Sequence, residues 1–357
     1  MSSPWKYTDT GPGRTALIDG QEYLYFSGTS YLGLNQHPLF KAKVIEGLEK
    51  YGVNFGGSRR SNLRFQVYEQ VECLFAEWTG AQASLLFSSG SLAGQVLHRL
   101  LSSFGDVLYA PGTHPALWGE EEPPTLDYKQ WSERLTAQLK ERSGATVIFA
   151  NSVDPLRSCA YDFSWLTEIP EGPLVYLVID DSHGFGVTGT EGMGIYGDLE
   201  VPAWVKKVVL ASLGKAFSLP AGIILGDESV IAKCWESPFF GGASPLPPAY
   251  AYAFCESGDL WRKQLATLRD LIRLFDQGIE GLDDFVHLDG YPVYFCQKNE
   301  MARGLWQEKI MISSFPYPGP KDPLITRVVI NALHQTTDIE RLVAAIRSLL
   351  NQDGIAS

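Results

Sequence analysis

Leu174-Val-Tyr-Leu-Val-Ile179 is an unbroken apolar run, and it leads directly into Asp180-Asp181-Ser182-His183-Gly184-Phe185-Gly186. A short run that is apolar on both faces is typical of a strand buried in a parallel sheet that helices cover on both sides. Polar residues and glycines directly after such a strand lie at the edge of the sheet where ligands bind. The stretch therefore predicts an α/β fold and the place of a functional site.

Similar apolar runs occur on both sides of this stretch, at residues 83–87, 107–109, 146–150, 205–210 and 221–225. Segments with helical apolar spacing precede or separate them, at residues 38–51, 64–78, 91–103 and 131–141. Strands that alternate with helices indicate a mostly parallel sheet sandwiched by helices. The predicted class is therefore α/β.

The pattern changes after about residue 227. A Gly/Pro-rich stretch at 238–248 precedes a long helical pattern at 249–277, strand-like runs at 291–296 and 326–330, and an amphipathic helix at 337–350 that residues 336–338 cap. We therefore predict a loop-like N-terminal segment at 1–37, a large domain at 38–237 and a smaller α+β domain at 238–357. The Gly/Pro-rich stretch is either the domain boundary or an active-site loop.

Composition excludes several functional classes. The 357 residues are 45% hydrophobic and 20% charged, as in ordinary globular proteins. The formal net charge of −12 disfavours nucleic-acid binding, so local cations or helix ends must hold any anionic ligand. Five scattered cysteines form no CxxC pair, which predicts no disulfide framework, no zinc site or other metal centre, and a reducing cytoplasmic location. The first residues do not resemble a signal peptide, and no apolar run is long enough to cross a bilayer.

Four groups of polar residues follow the predicted strands. Asp180 and His183 follow the 174–179 run, and Lys215 follows the 205–210 run within Ala-Ser-Leu-Gly-Lys. Ser89-Gly90-Ser91 opens a helix after the 83–87 run, and His114 follows the 107–109 run. Each group alone has an ordinary structural interpretation, such as a helix cap or a solvated charge. Their occurrence together along one sheet favours a shared site.

This set of residue types suits one cofactor. A lysine can bind an aldehyde as a Schiff base, and a carboxylate at a strand end can keep a pyridine nitrogen protonated. A helix N-terminus with serines can hold a phosphate, and an imidazole can stack on a flat ring. The residues therefore predict a site for pyridoxal 5'-phosphate.

The stretch 178–194 resembles the DEAHxxGxxGxxGxG signature of the fold-type I, pyridoxal-phosphate-dependent α-oxoamine synthases. That family includes 8-amino-7-oxononanoate synthase and 2-amino-3-ketobutyrate CoA ligase. The resemblance covers nearly the whole chain, because further blocks match in order at 30–34, 56–59, 86–90, 247–248 and 327–334. It implies the large and small domains of the fold-type I aminotransferase-like architecture.

The resemblance also implies a role for each matching residue. Lys215 matches the Schiff-base lysine, Asp180 the partner of the pyridine nitrogen, and His183 the partner of the cofactor phenolate. His114 matches the histidine that stacks on the ring. The remaining matches hold the cofactor phosphate or phenolate, or the substrate carboxylate: Ser89, Gly90, Ser91 and Ser212 for the phosphate, Ser152 for the phenolate, Ser244 for the phosphate of a neighbouring subunit, and Arg327 for the carboxylate. The role implied for Ser244 predicts a homodimer with shared active sites.

The function implied is the condensation of a small amino acid with an acyl-CoA, with decarboxylation, to give an α-oxoamine. Departures from the family pattern at Ser91, at Gly94 and at 152–156 leave acyl-donor recognition open. An aminotransferase on the same fold is therefore a second hypothesis, and an inactive homologue that serves as a binding partner is a third. Glycine, alanine and serine all suit the same chemistry, so the sequence does not select the amino acid or the acyl chain.

Overall fold

The computed structural model describes the backbone of residues 6–169, 171–172, 174–317 and 319–353, and side chains as far as residue 351. Residues 1–5 of the predicted N-terminal segment and 354–357 of the predicted small domain lie outside the described residues.

The strands in the described part of the chain are β1 (Thr15–Ile18), β2 (Gln21–Phe26), β3 (Ala83–Phe87), β4 (Asp106–Tyr109), β5 (Thr146–Asn151), β6 (Val153–Asp154), β7 (Cys159–Ala160), β8 (Val175–Asp180), β9 (Val205–Ser212), β10 (Gly222–Gly226), β11 (Phe285–His287), β12 (Val293–Cys296), β13 (Ile310–Pro316) and β14 (Leu324–Val329). The α-helices there are α1 (Pro38–Tyr51), α2 (Gln66–Thr79), α3 (Gly90–Leu101), α4 (Tyr128–Glu141), α5 (Glu228–Glu236), α6 (Pro238–Gly242), α7 (Pro248–Glu256), α8 (Leu260–Ile279), α9 (Met301–Gln307) and α10 (Thr336–Asp353). Short 3-10 helices lie at Pro115–Leu117, Ser164–Glu168 and Thr190–Gly192.

The chain divides into two compact units. The larger unit contains residues 39–154 and 160–258, and the smaller one contains 1–38, 155–159 and 259–357. The N-terminal residues thus share a unit with the C-terminal part of the chain. The larger unit also extends 21 residues beyond the boundary predicted at 237, because Phe240 packs against Phe87 and Phe254 packs against Phe75.

The larger unit is built on a six-stranded sheet of order β3-β10-β9-β8-β5-β4. β9, β8, β5 and β4 pair in parallel, whereas β10 is antiparallel to both β9 and β3. Five strands therefore share one direction and only β10 is reversed, which confirms the prediction of an α/β fold with a mostly parallel sheet.

Both faces of this sheet are buried. Phe149, Val178 and Leu210 pack on one face in a core that includes residues of α3 and α5. Their neighbours in the strands, such as Ile179 and Val209, point to the other face and are also fully buried. The continuous apolar runs in the sequence arise from this double burial.

The smaller unit contains a second six-stranded sheet, of order β1-β2-β13-β14-β12-β11. The prediction of a loop-like N-terminal segment is wrong, because β1 and β2 form one end of this sheet and β2 pairs in parallel with β13. The helix predicted at 249–277 is also interrupted. It is α7 and α8, separated at Gly258, whose φ of +52° is not compatible with a continuous helix.

Three further features bear on the predictions. All five cysteines are free. No helix among the described residues has the length and apolarity that a membrane span requires. Within the same residues, no group of three or more histidine, cysteine or acidic side chains is arranged to hold a metal ion.

Candidate active site

The predicted site residues of the larger unit lie at one edge of its sheet. Asp180, at the end of β8, pairs in register with Asn151 of β5 and Leu210 of β9. Gly222, where the reversed β10 begins, pairs with both Phe87 and Ser212. The carboxyl ends of the parallel strands and the start of β10 therefore meet at this edge, where α/β sheets bind ligands.

Asp180 and His114 face each other across the edge. The Asp180 carboxylate is almost completely buried, and its Oδ2 lies 3.8 Å from Nδ1 of the half-exposed His114. The other carboxylate oxygen accepts the backbone N–H of Ser182 at 2.9 Å. A buried carboxylate with a fixed orientation is suited to hold a proton on a ring nitrogen.

The His114 ring is held in one orientation. Its Nδ1 accepts the backbone N–H of Ala116 at 3.1 Å, so the neutral ring carries its proton on Nε2. Burial lowers the pKa of His114, the Asp180 carboxylate opposes this shift, and the positive charge of Lys215 adds to it. A neutral imidazole of fixed orientation suits stacking on a flat ring better than ion pairing.

Asn151 fixes the loop that carries His114. Its Oδ1 accepts the His114 backbone N–H at 3.1 Å, and its Nδ2 donates to the Gly112 carbonyl at 2.7 Å. Asn151 is the last residue of β5, so the sheet itself sets the position of this loop.

Lys215 and His183 lie in two loops that share one aromatic cluster. Lys215 is half-buried in the turn between β9 and β10, and His183 is half-buried in the turn after β8. Phe217 and Phe185, each two residues further along, have ring centroids 5.6 Å apart. Both rings also contact Phe75 of α2. The cluster therefore fixes the two loops relative to each other.

The turn before α3 forms a close-packed cradle. Ser89 caps the helix by accepting the Leu92 N–H at 3.1 Å. A Cβ added at Gly90 would lie 3.0 Å from Ser212 Cβ, and one added at Gly222 would lie 2.4 Å from the Ser89 carbonyl oxygen. Gly222 must therefore be glycine for the helix N-terminus to approach the ends of β9 and β10, and the space around Gly90 is tight. The N–H groups of such a terminus attract a phosphate.

Asp181, which the sequence prediction passed over, lies under the site. It is fully buried; one carboxylate oxygen accepts the Ser152 hydroxyl, and the other accepts the Ile195 N–H at 2.9 Å. Burial raises the pKa of Asp181 to about 7, against the effect of the two hydrogen bonds. The Ser152 hydroxyl thus bonds to Asp181.

The other predicted phosphate residues have different surroundings. Ser212 donates its backbone N–H to the Ser182 hydroxyl at 2.8 Å, which joins the ends of β8 and β9. Ser91 is exposed at the start of α3. Ser244 is exposed in the loop after α6 and lines a cavity of about 10 Å³ together with Ser88 and Arg59.

Arg327 belongs to the smaller unit, where it lies on β14. It is 7% exposed, and its Nη1 donates to the Pro155 carbonyl at 2.7 Å. Its Nε is buried and has no hydrogen-bond partner in the part of the chain that the structure describes. A buried, unsatisfied donor of this kind is free to bind an anionic group.

Sequence reasoning therefore missed Asn151, Asp181 and Ser182. Asn151 could have been found from its position, because it is polar and directly follows the apolar run 146–150. Asp181 and Ser182 stand inside the recognised motif, but their partners, Ser152, Ile195 and Ser212, come from distant segments. No local pattern signals such contacts.

Comparisons with known proteins show which enzymes the chain is similar to. An 8-amino-7-oxononanoate synthase from Pseudomonas aeruginosa (strain LESB58) is 28% identical over 95% of this chain and 88% of the relative. The enzyme of the same name from Dechloromonas aromatica (strain RCB) is 27% identical, with 96% of this chain and 93% of the relative covered. No protein-family model matches the chain.

Solved structures show the same fold. A serine palmitoyltransferase from S. paucimobilis, with pyridoxal phosphate and myriocin bound, superimposes with a TM-score of 0.84 at 17% identity, covering 98% of this chain and 93% of the other. The 8-amino-7-oxononanoate synthase from Francisella tularensis gives a TM-score of 0.70 at 20% identity, covering 93% and 98%. The chain thus resembles the α-oxoamine synthases in sequence and in fold along nearly its whole length, as its motifs predict.

Proposed function

We propose that this protein is a pyridoxal-phosphate-dependent acyltransferase of the α-oxoamine synthase type. It condenses a small amino acid with an acyl thioester, loses carbon dioxide and gives an α-oxoamine. The observation that carries the proposal is the meeting of Asp180, His114 and the Lys215 turn at one sheet edge, beside the Gly90–Gly222 cradle.

The residues present fit pyridoxal phosphate. The cradle at the α3 N-terminus receives the phosphate, where Ser89, Gly90, Ser91 and Ser212 lie. Buried Asp180 would hold a proton on the ring nitrogen, His183 would hydrogen-bond the phenolate, and neutral His114 would stack on the ring. Lys215 would bind the cofactor aldehyde through its Nζ. When bound, the ring withdraws electrons and so stabilises negative charge at the substrate α-carbon.

Lys215 also has a role in proton transfer. In its neutral form the Lys215 Nζ would act as the base that accepts the proton from the substrate α-carbon. Lys215 lies within electrostatic range of His114 and Asp181, so its amine belongs to the same group of side chains.

Arg327 is the proposed binding residue for the substrate carboxylate. Its buried Nε lacks a partner, and a carboxylate can accept from Nε and a neighbouring Nη together. An acidic chain of net charge −12 needs such a local cation to hold an anionic substrate.

A homodimer is the proposed assembly. Five large apolar side chains are more than 40% exposed within residues 39–74 of the larger unit: Leu39, Ile45, Val53, Leu63 and Leu74. Such a concentration of exposed apolar surface is typical of a protein interface. A second copy of this chain would cover it and bring its Ser244 to the phosphate, as the family resemblance implies. The free cysteines support a reducing, cytoplasmic location.

The aminotransferase alternative is not favoured. The relatives described above carry synthase names, and the similar structures include serine palmitoyltransferase. An aminotransferase would use the same residues for its first half-reaction, so the second substrate separates the two functions.

The test is release of free thiol from a panel of acyl-CoAs, each paired with glycine, alanine or serine and the cofactor-loaded protein. We expect thiol release that requires both substrates, together with carbon dioxide in equal amount. Lys215→Ala is the matched control and should release none. If no thiol appears while 2-oxo acids are converted to amino acids, the protein is an aminotransferase and the proposal fails.

A further inference from the structure

Asp181 contacts three separate segments at the floor of the site. Its carboxylate accepts hydrogen bonds from Ser152, after β5, and from the N–H of Ile195, fourteen residues further along the chain. Its backbone N–H donates to Leu210 of β9 at 2.8 Å. Because Asp181 is fully buried, loss of any of these partners leaves a polar group unsatisfied.

The loop around the Asp181 carboxylate is packed so closely that a larger side chain would not fit and the carboxylate has no space to shift. A Cβ added at Gly184 would lie 2.2 Å from Asp181 Oδ1, and a Cβ added at Gly194 would lie 1.9 Å from Oδ2. Gly194 also has a φ of +69°, which favours glycine. The 184–195 loop is therefore folded closely around the Asp181 side chain.

The same residue controls the turn that contains His183. The Asp181 carbonyl accepts the N–H groups of Gly184 at 3.0 Å and Phe185 at 2.8 Å, which closes the turn around His183. On the other side, Ser152 donates its backbone N–H to the Asp180 carbonyl at 3.0 Å while its hydroxyl donates to Asp181. Displacement of the Asp181 carboxylate would thus move both Asp180 and His183.

We propose that Asp181 is a positioning residue that sets the places of Asp180 and His183 by anchoring the 181–195 loop and Ser152 through its carboxylate. This inference rests on the proposed function, because Asp180 and His183 are the residues that face the cofactor. The proposal also makes Asp181 the hydrogen-bond partner of the Ser152 hydroxyl. A substitution of Ser152 should therefore affect cofactor binding through Asp181.

Two substitutions distinguish the hydrogen bonds of the Asp181 carboxylate from its negative charge. In Asp181→Asn, the amide oxygen still accepts the Ile195 N–H, and the amide N–H₂ donates to a Ser152 hydroxyl that rotates to accept it. In Asp181→Ala, both hydrogen bonds are lost. Leu139→Ala, in α4, removes a buried side chain elsewhere in the larger unit and is the control for general destabilisation.

The readouts are the dissociation constant of pyridoxal phosphate and the pH titration of the Schiff-base absorbance. We expect Asp181→Ala to weaken binding about tenfold, because two buried hydrogen bonds that hold the loop and Ser152 are lost. Its absorbance titration should shift, while Asp181→Asn and Leu139→Ala stay close to the wild type. Ser152→Ala should add little in the Asp181→Ala background, because both act on one anchor.

Three outcomes would overturn the proposal: an unchanged Asp181→Ala titration, an Asp181→Asn variant as impaired as Asp181→Ala, or fully additive effects of the Ser152 and Asp181 substitutions. The wild-type measurement distinguishes a failure of the proposed function from a failure of the role proposed for Asp181. If the wild-type protein shows no Schiff-base absorbance, the proposed function fails; if it does and the variants behave otherwise, only the role of Asp181 fails.

Discussion

At the scale of single residues, Arg327 differs from Arg59, the other described arginine that is nearly buried. Arg59, at 5% exposure, has a carboxylate partner in Glu72. Arg327 has one backbone carbonyl for its Nη1 and nothing among the described residues for its Nε. An arginine that is desolvated and left partly unsatisfied costs stability unless a ligand completes its hydrogen bonds.

Arg327→Gln should therefore impair binding of the amino acid. Loss of a charge-assisted, two-point contact is expected to raise KM for the amino acid about ten- to a hundredfold, with little change in KM for the thioester. Steady-state kinetics with each substrate varied in turn measures both values. Arg341→Gln, which removes an exposed arginine from α10, is the control. Equal effects on both KM values would contradict the assignment.

At the scale of elements, the start of β10 and the turn before α3 depend on each other. Gly222→Ala would place a Cβ 2.4 Å from the Ser89 carbonyl oxygen and 2.5 Å from the Gly90 nitrogen. The turn before α3 must then move away, so the N-terminus of α3 would no longer reach the phosphate. On the same strand, Gly226→Ala would meet nothing closer than 3.7 Å and serves as the matched control.

We expect Gly222→Ala to weaken binding of pyridoxal phosphate much more than binding of pyridoxal, which lacks the phosphate. Titration of the Schiff-base absorbance with both compounds gives the preference for the phosphate directly. Gly226→Ala should retain the wild-type preference. If Gly222→Ala weakened the two compounds equally, the turn would not be the phosphate site.

The turn between β14 and α10 makes folding stability depend on pH through His334. Burial lowers the pKa of His334 to about 4; its Nδ1 accepts the Asn331 N–H, and its Nε2 donates to the Tyr25 carbonyl. The unfolded chain, with an ordinary pKa of 6.5, binds more protons between pH 4 and 6.5. Stability from this residue is therefore complete above pH 6.5 and falls as the pH drops towards 4.

The expected loss between pH 7.5 and pH 5 is about 2 kcal/mol in the free energy of unfolding from this residue alone. Urea unfolding of the wild type and of His334→Gln at both pH values measures it. The variant starts less stable but should lose about 2 kcal/mol less over this interval. The same pH dependence in both proteins would mean that His334 does not titrate in this way.

The elements that the sequence predicted correctly are those with strong, local signals. β3, β5 and β8 are apolar on both faces and end within one or two residues of their predicted limits. The incorrect predictions of secondary structure also have local causes. β1 is only four residues long and leaves Leu17 half-exposed, and the α7–α8 pattern keeps its apolar spacing through Gly258. The apolar periodicity of the sequence does not reveal one residue with positive φ, such as Gly258.

Site prediction follows the same rule. The sequence points to Asp180, His183, Lys215 and His114 because a polar residue after an apolar strand is visible in one segment. Asp181 and Ser182 depend on hydrogen bonds that join segments 14 to 30 residues apart, so only the fold reveals them.

At the scale of the whole molecule, the two copies of the proposed homodimer would each supply Ser244 to the site of the other. Mixing Lys215→Ala subunits with Ser244→Ala subunits should restore activity, because one of the two sites in each mixed dimer then contains both intact residues. Each variant alone should be impaired, Lys215→Ala completely. Mixtures refolded or exchanged at equal concentration, assayed against the single variants, provide the measurement. Activity no higher than the mean of the two variants would argue against shared sites.

The most direct measurement of the central claim is reduction of the cofactor-loaded protein with borohydride, followed by peptide mapping with mass spectrometry. A Schiff base becomes a stable secondary amine under these conditions, so the lysine that binds the cofactor keeps a permanent mass label. We predict one labelled peptide, carrying the pyridoxyl group on Lys215, and none after the same treatment of Lys215→Ala. A label on another lysine, or an unlabelled Lys215 in protein saturated with pyridoxal phosphate, would contradict the account.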